Sequence, residues 1–370
     1  MILNSIRLKN FRIHKNTELH FSGRLNYIVG GNGQGKTSIL ESIYYLCTTK
    51  SFNARSDNEV IRFGENDFEI NGLFTELTQD KVKIIYSLSE NRKRYLQNNK
   101  NISRSSEVIG KFPVVVLTPS DHAITQGSPS ERRKFVDSVI SQASDTYLKL
   151  LMEYNKTLRQ RSSLLTRIRE SRPTNLSHEL NAWTERLIET GTELIKHRIS
   201  FIIEFNEYIK KSYRVILEND EVPGISYSFL NKYKENEIRK RFEQLIEERK
   251  YDELRRATNL VGPHRDDFIL EINDVNLRTY GSQGQHKTYQ VVLRFAEFFY
   301  LKEITGKTPL FLLDDVFGEL DTNRSIKISE YLRQVGQAFI TLTDFSNLSF
   351  LSIKDEDSVF RIHRGVIANA

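Results

Sequence analysis

The sequence predicts an α/β fold in which a mainly helical segment interrupts a mixed sheet with flanking helices. A short apolar run at 25–29 ends on glycines and is followed by apolar residues at helical spacing up to residue 46, which indicates strand, loop and helix in succession. A second apolar run, 310–314, ends on two acidic residues. Because 129–256 is mostly helical in pattern, we expect three parts: 1–128, an inserted lobe at 129–256, and 257–370.

The remaining elements follow from hydrophobic periodicity and from turn residues. Extended segments are predicted at 2–8 and directly after it, as an antiparallel meander at 68–75, 81–88 and 94–97, and as a buried strand within 112–121. Helices are predicted from Pro129, over 142–170 and over 178–215. Beyond the lobe we expect a hairpin at 268–280 that turns at Asn273–Asp274, helices at 283–303 and 322–334, and strands at 310–314, 338–343 and 359–363.

The composition sets broad limits on function. The chain has 370 residues, 54 Lys and Arg against 48 Asp and Glu, and one cysteine, Cys47. A net charge of +6 permits a polyanionic partner and is equally compatible with a well-solvated surface. One cysteine excludes an internal disulfide. There is no signal-peptide core and no apolar run near the ~20 residues that span a bilayer, so we expect a cytoplasmic protein with no membrane partner.

Residues 29–40, VGGNGQGKTSIL, fit the pattern of a phosphate-binding loop. Glycines let backbone N–H groups converge on phosphate oxygens at a helix N-terminus. Lys36 would place a positive charge across the phosphates, and Thr37 would offer its hydroxyl to Mg²⁺. The predicted ligands are ATP and Mg²⁺, and the predicted nucleotide-binding residues are Gly30, Gly31, Asn32, Gly33, Gln34, Gly35, Lys36 and Thr37. A glycine turn with an incidental lysine is the weaker alternative.

The segment PLFLLDDVFGELD (309–321) carries the second motif. An apolar strand would deliver Asp314 to the edge of the sheet, where it would hold Mg²⁺ together with Thr37. Asp315 follows at once and would orient or deprotonate the attacking water, so we predict Asp315 and Lys36 as the catalytic residues. The alternative is a strand end whose acids cap the next helix.

The segment YGSQGQHKT (280–288) precedes a predicted helix. Its Ser282, Gly284 and Gln285 match the serine–glycine–glutamine core of the signature motif in ABC-type ATPases, although an ordinary helix N-cap explains them too. In that motif the helix N-terminus would serve a nucleotide bound to a second subunit. In the same class of ATPase, the segment GELD (318–321) would be a dimer-contact loop, and Thr343 stands where transporters carry a histidine.

Together these motifs resemble the RecF family of bacterial recombination-mediator ATPases, which is related to SMC proteins. The resemblance extends over nearly the whole chain and rests on KNFR (9–12), GNGQGKT (31–37), KS (50–51), IRFG (61–64), LTPSD (117–121), GSPSERRKFVD (127–137), GPHRDD (262–267), SQGQ (282–285) and LLDDVFGELD (312–321). It implies an ABC-type P-loop ATPase head, with an antiparallel β meander and an inserted helical lobe.

The resemblance also implies a function in DNA repair, DNA replication and the SOS response. The protein would form an ATP-dependent homodimer on DNA at gaps or junctions between single and double strands, and would help RecO and RecR to load RecA. Hydrolysis would be slow, DNA-dependent and used as a switch. The family commonly has an arginine where this chain has Asn53, whereas Asp315 follows the family in place of the transporter glutamate.

Two other classes share some of these motifs. An ATPase subunit of a transporter predicts a short insertion and a switch histidine, in contrast to the long basic lobe and Thr343. An SMC-like chromosome-structural ATPase predicts an insertion of hundreds of residues that forms long arms, far longer than the lobe at 129–256. Arginines follow one another along the lobe, at Arg159, Arg161, Arg167, Arg169 and Arg172, and would either contact DNA or simply face solvent.

Overall fold

The computed structural model describes residues 1–171, 176–217, 221–228, 235–319, 322–344 and 353–369, and the chain forms two compact units. The first unit comprises 1–122, 211–219 and 287–370, and the second comprises 123–210 and 220–286. Residues 257–286 thus cluster with the helical segment. The three-part division at 128 and 256 remains a prediction.

The strands described here are numbered in chain order. They are β1 (Ile2–Phe11), β2 (His14–His20), β3 (Leu25–Val29), β4 (Asp67–Thr75), β5 (Gln79–Ser87), β6 (Arg92–Gln97), β7 (Lys100–Ile102), β8 (Val114–Leu117), β9 (Pro223–Tyr227), β10 (Phe268–Ile272), β11 (Val275–Asn276), β12 (Leu310–Leu313), β13 (Ala338–Leu342), β14 (Ser358–His363) and β15 (Val366–Asn369).

The helices are numbered in the same way. They are α1 (Lys36–Thr48), α2 (His122–Gln126), α3 (Pro129–Ala143), α4 (Asp145–Ser171), α5 (Leu176–Leu217), α6 (Glu235–Arg256), α7 (Leu277–Tyr280), α8 (Gln283–Thr305) and α9 (Thr322–Leu332). No helix in the described ranges is both long enough and apolar enough to cross a membrane.

Two sheets build the first unit. One is the expected antiparallel sheet, in the order β2-β1-β4-β5-β6-β7. The other has the order β15-β14-β3-β13-β12-β8 and is parallel except for the β14–β15 pair. Every residue of β3, β8, β12 and β13 is buried, as expected for parallel strands covered on both faces. Helix α1 contributes Ile39, Leu40, Ile43 and Leu46 to a hydrophobic core that also contains residues of both sheets.

The second unit contains long helices and a small antiparallel sheet in the order β11-β10-β9. The predicted turn at Asn273–Asp274 is confirmed, because both residues adopt a positive φ, 52° and 61°. The predicted hairpin over 268–280 is wrong in its second half. Strand β11 has two residues, and α7 follows because the Asn276 side chain accepts a hydrogen bond from the Thr279 N–H and caps the helix.

Strand β9 is not predicted by the sequence pattern. It pairs along its whole length with β10, from Pro223 opposite Ile272 to Tyr227 opposite Phe268. Five residues within a largely helical stretch carry little periodic signal of their own, and the partner strand lies more than forty positions further along the chain.

Two of the segments that carry the family resemblance meet in the second unit. Arg132 forms a bidentate ion pair with Asp267 at 2.8 and 2.9 Å, and Arg133 donates to the Asp266 carbonyl oxygen. The buried Arg198 side chain donates to both carboxylate oxygens of Asp137, at 2.8 and 3.0 Å. The segments 127–137 and 262–267 therefore stabilise one another through buried charges.

Helix α4 corrects one expectation about the lobe. Arg161 is 2% exposed, with its guanidinium 2.5 Å from Glu253 and 2.5 Å from the Asn259 amide oxygen. It therefore does not belong to a surface that could face DNA. Arg159, Arg167 and Arg169 are exposed on the same helix, and Arg172 lies outside the described residues.

Candidate nucleotide-binding site

Three parallel strands position the site in the first unit. Strand β13 lies between β3 and β12, so the carboxyl ends of all three meet at one edge of the sheet. The phosphate loop follows β3, and Asp314 follows β12. Ligands bind at such an edge in open α/β sheets, since the loops after adjacent strands diverge there. The strand order thus brings together two motifs 277 positions apart.

The phosphate loop has the conformation that its glycines permit. Gly33 and Gly35 adopt positive φ angles of 72° and 103°, and α1 begins directly afterwards at Lys36. The Lys36 ammonium donates to the carbonyl oxygens of Gly30 and Gly31 at 2.6 and 2.9 Å. Burial lowers the pKa of Lys36, while the nearby carboxylates of Asp315 and Asp314 raise it. The remaining loop residues, Asn32 and Gln34, line the same cleft.

Thr37 and Asp314 come together as the sequence predicts. The Thr37 hydroxyl lies 2.8 and 3.0 Å from the two carboxylate oxygens of Asp314. Asp314 is 7% exposed, and burial raises its pKa, opposed by hydrogen bonds from Thr341 and Thr37. A hydroxyl and a carboxylate are hard oxygen donors. Mg²⁺ is usually held by one or two such protein ligands, with water and phosphate oxygens completing its coordination. The residues present therefore fit that ion.

Asp315 lies beside them in an uncommon backbone conformation. Its φ is 51°, which is sparsely populated for residues other than glycine. Its backbone N–H donates to the Thr341 hydroxyl at 2.9 Å. The side chain is half-buried and lines the cleft together with Lys36 and Thr37. The positive φ is a strained backbone conformation, which the hydrogen bond to Thr341 helps to hold.

Thr341 is a site residue that the motifs in the sequence do not identify. It is fully buried in β13, and its hydroxyl donates to Asp314 at 2.8 Å while accepting from the Asp315 N–H. One side chain thus connects both acids. A polar residue within the buried strand AFITL is the signal that could have identified it, because buried hydroxyl groups are hydrogen-bonded.

The turn between β14 and β15 supports the phosphate loop from outside. Backbone N–H groups of Arg364 and Gly365 donate to the side-chain and main-chain oxygens of Gln34, at 2.6 and 3.0 Å. The His14 ring lies 3.1 Å from the Gly35 carbonyl and 3.2 Å from that of Gly365. Burial lowers the pKa of His14, so the neutral ring is favoured. None of these contacts was predictable from local sequence.

The KNFR and KS segments also meet near the loop. Arg12 forms a bidentate ion pair with Glu41 of α1 at 2.7 and 2.8 Å, and the Ser51 hydroxyl donates to the same carboxylate. Together with the phosphate loop, Arg12 lines a cleft of about 660 Å³. This volume is typical of small-molecule sites, which span roughly 300–1,000 Å³.

The chain as a whole resembles known proteins. The family model described as RecF/RecN/SMC N terminal domain matches residues 2–363. A DNA replication and repair protein RecF of Chloroherpeton thalassium is 39% identical, over 93% of this chain and 95% of the relative. The chain belongs to the RecF family. A counterpart from Salinibacter ruber is 35% identical, over 93% of this chain and 85% of the relative.

Solved structures confirm the predicted fold class. A structure of the recombination mediator protein RecF with ATP, in the RecFOR pathway, matches with a TM-score of 0.89 and 32% identity, over 100% of this chain and 97% of that one. An Smc head domain of Pyrococcus furiosus matches with a TM-score of 0.57 at 14% identity, which concerns the fold alone. The mixed sheet with flanking helices, together with the antiparallel sheet, is the fold of an ABC-type ATPase head.

The signature residues of this RecF-family chain lie in the second unit. Ser282 is exposed and caps α8: its hydroxyl accepts from the Gln285 N–H at 3.2 Å, and its own N–H donates to the Gln285 side chain at 2.9 Å. This reciprocal pair is a capping box. Gly284 lies half-buried in the first turn. The capping box fixes the helix N-terminus and leaves the predicted role of these residues in nucleotide binding open.

Two further predicted positions are less defined. Thr343 is exposed directly after β13, and its suggested correspondence to the transporter histidine remains a prediction. Gly318 and Glu319 lie in a short 3₁₀ turn, and the last two residues of the GELD segment fall outside the described residues.

Proposed function

We propose that this protein binds ATP with Mg²⁺ at residues 30–37 and dimerises with two nucleotides enclosed between its subunits. The dimer would hold DNA at gaps or at junctions of single and double strands, and would act with RecO and RecR in loading RecA. The observation that carries the proposal is the contact between Thr37 and Asp314 beside Lys36, at the mouth of one cleft. Membership of the RecF family supports the role in DNA replication and repair.

The residues of the site would have distinct chemical roles. Lys36 would leave the loop carbonyls that it contacts and neutralise charge on the β- and γ-phosphates. Thr37 and Asp314 would hold Mg²⁺, which when bound offsets the charge that develops on the phosphate oxygens. Asp315 would orient the attacking water. Its side chain is one methylene shorter than glutamate, consistent with slow turnover.

Closure of the dimer would complete each site. The N-terminus of α8, capped by the Ser282–Gln285 pair, carries the positive end of the helix dipole and is suited to accept an anion. In this proposal it receives the γ-phosphate of ATP bound to the partner subunit. Dimerisation would then depend on ATP, and hydrolysis would open the dimer and release DNA.

Asp315→Asn tests whether hydrolysis opens the dimer. The variant should bind ATP as the wild type does, lose turnover, and accumulate an ATP-bound dimer because the closed state is left only through hydrolysis. Sedimentation velocity with ATP, with and without a gapped duplex, measures the dimer and its binding to DNA. Lys36→Met is the matched control, and it should fail to dimerise. Unchanged hydrolysis in Asp315→Asn would remove Asp315 from the mechanism.

Mixing two inactive variants tests whether each site is shared between subunits. Ser282→Arg should retain ATP affinity but block closure, and Lys36→Met should fail within its own subunit. A mixed dimer contains one composite site with both defects and one with neither. ATPase activity should therefore peak at intermediate ratios when one variant is titrated into the other. Substantial activity in pure Ser282→Arg would contradict the shared-site proposal.

A further inference from the structure

Glu221 is an acidic residue that contacts the signature segment from a distant part of the chain. It lies 64 positions before Gln285, and both residues belong to the second unit. The Gln285 side-chain N–H donates to the Glu221 carboxylate at 2.9 Å. Glu221 lies outside every motif identified in the sequence, so this contact is a product of the tertiary structure alone.

The contact decides which way the Gln285 amide faces. An amide group has two donors at one end and an acceptor at the other, whereas an ionised carboxylate only accepts. Because Glu221 binds the nitrogen end, the oxygen end is turned toward the Ser282 N–H, from which it accepts at 2.9 Å. With the amide reversed, a donor would face a donor and half of the capping box would be lost.

Glu221 is held in place by the small sheet rather than by helix α8. The next residue, Val222, donates its N–H to the Asn273 side-chain oxygen at 2.7 Å, and its carbonyl accepts from the Asn273 N–H at 2.8 Å. Strand β9 then begins at Pro223, opposite Ile272 of β10. The carboxylate therefore projects from a backbone that is fixed on the Asn273–Asp274 turn.

We propose that Glu221 is a positioning residue for the signature segment. Through Gln285 it would hold Ser282 in the conformation that receives the γ-phosphate of ATP bound to the partner subunit. This inference rests on the proposed function and adds the residue that prepares the receiving surface before closure. The Ser282 hydroxyl accepts from the Gln285 N–H, a bond that does not use the hydroxyl proton, which can then be donated to a phosphate oxygen.

Preorganisation of this kind affects one step of the cycle. A group that is already ordered loses less conformational entropy when it binds. Loss of Glu221 should therefore weaken the ATP-dependent dimer. ATP binding within one subunit should not change, because the phosphate loop that binds it lies in the first unit.

Substitutions at Glu221 test the proposal in the full chain. Sedimentation velocity with ATP and Mg²⁺ should show a dimer weakened on the order of tenfold in Glu221→Ala, as expected for the loss of one hydrogen bond to a charged group. ADP affinity in calorimetry should stay at the wild-type value. Glu221→Gln should restore the dimer, since its amide oxygen still accepts from Gln285. Glu271→Ala, at a half-buried glutamate of β10, is the control.

A double-mutant cycle shows whether Glu221 acts through Gln285. Gln285→Ala should weaken the dimer at least as much as Glu221→Ala, and adding Glu221→Ala to it should have no further effect. Additive losses would overturn the proposal, because Glu221 would then act by another route. Stronger dimers in both Glu221→Ala and Glu221→Gln would overturn it as well, by showing that the carboxylate repels the phosphate.

The outcomes separate this inference from the proposed function. If the wild type forms ATP-dependent dimers and Glu221→Ala forms them equally well, the positioning role is wrong and the proposed function stands. If the wild type forms no dimer with ATP, the proposed function is overturned, and the role of Glu221 in closure is overturned with it.

Discussion

Thr341 shows how a single buried hydroxyl organises a charged site. It is placed by β13 between the strand that carries the phosphate loop and the strand that carries the acids. It donates to Asp314 and accepts from the Asp315 N–H, so it sets both the carboxylate orientation and the positive φ that follows. Thr341 is a positioning residue, since it acts through its two neighbours.

Replacing Thr341 with valine keeps the shape and removes the hydroxyl. The buried Asp315 N–H then lacks its acceptor, a loss of about 1–3 kcal/mol. Because the hydrogen bond lowers the pKa of Asp314, its removal raises that pKa further, and the acid limb of ATPase activity should move to higher pH. Half-saturation by Mg²⁺ should require more metal, and Thr341→Ser should reverse both effects. Wild-type Mg²⁺ dependence in Thr341→Val would contradict this role; Thr78→Val, at an exposed threonine in the turn between β4 and β5, is the control.

Helix α4 carries both buried and exposed arginines. Arg161 faces inward to Glu253 of α6 and Asn259, both almost fully buried, whereas Arg159 and Arg169 face outward. Sequence alone treats them as one basic series. The ion pair joins α4 to α6, and Trp183 of α5 packs nearby against a cluster formed by Leu164 and Leu165 of α4.

Stability and DNA binding should therefore respond to different arginines of α4. Arg161→Ala should lower the free energy of unfolding by about 3–5 kcal/mol, since Glu253 is left as an unpaired buried charge. Urea unfolding followed by fluorescence of Trp183, the one tryptophan, measures this effect. Arg159→Ala is the matched control and should change stability by less than about 0.5 kcal/mol.

Reversing the charge of Arg159, Arg167 and Arg169 tests whether the exposed face of α4 contacts DNA. If it does, affinity should fall and the slope of log affinity against log salt should become shallower, because fewer counterions are released. Fluorescence anisotropy with a gapped duplex over a range of salt concentrations gives both quantities. An unchanged slope would show that DNA lies elsewhere on the protein.

At the scale of the whole molecule, the ATPase head is assembled from both ends of the chain. The central strand β3 pairs with β13 on one side and β14 on the other, both more than 300 residues further along the chain. The turn after β14 then hydrogen-bonds Gln34 of the phosphate loop. The phosphate loop is thereby joined to segments near the C-terminus, and a ligand bound at residues 30–37 would stabilise them too.

Hydrogen exchange followed by mass spectrometry should detect this coupling. ATP at about 100 times its dissociation constant stabilises the bound state by about 2.7 kcal/mol. Slower exchange is expected in peptides from 25–48 and also from 310–318 and 338–342, because these strands open together with β3. Lys36→Met should abolish the effect. Protection confined to 30–48 would mean that the loop binds without support from its neighbouring strands.

The sequence by itself determined the features that depend only on residues close together in the chain. The phosphate loop, the double acid after a buried strand, the turn at Asn273–Asp274 and the family resemblance all lie in contiguous segments. Their chemistry is set by covalent spacing and by local φ preferences. Most helices and strands were likewise predicted within a few residues, since their hydrophobic period is local.

Tertiary structure decided everything that depends on which distant strand lies next to which. In the sequence, Thr341 is indistinguishable from an ordinary strand residue. Its role becomes visible only when the sheet places β13 between β3 and β12. From the sequence, Arg161 would be predicted as a surface charge, because its partner Glu253 lies on α6. Strand β9 likewise has too short a pattern to be predicted without its pairing to β10. The physical reason is the same in each case: a buried polar group or an edge of backbone is stable only with its partner, and that partner is chosen by the topology of the chain.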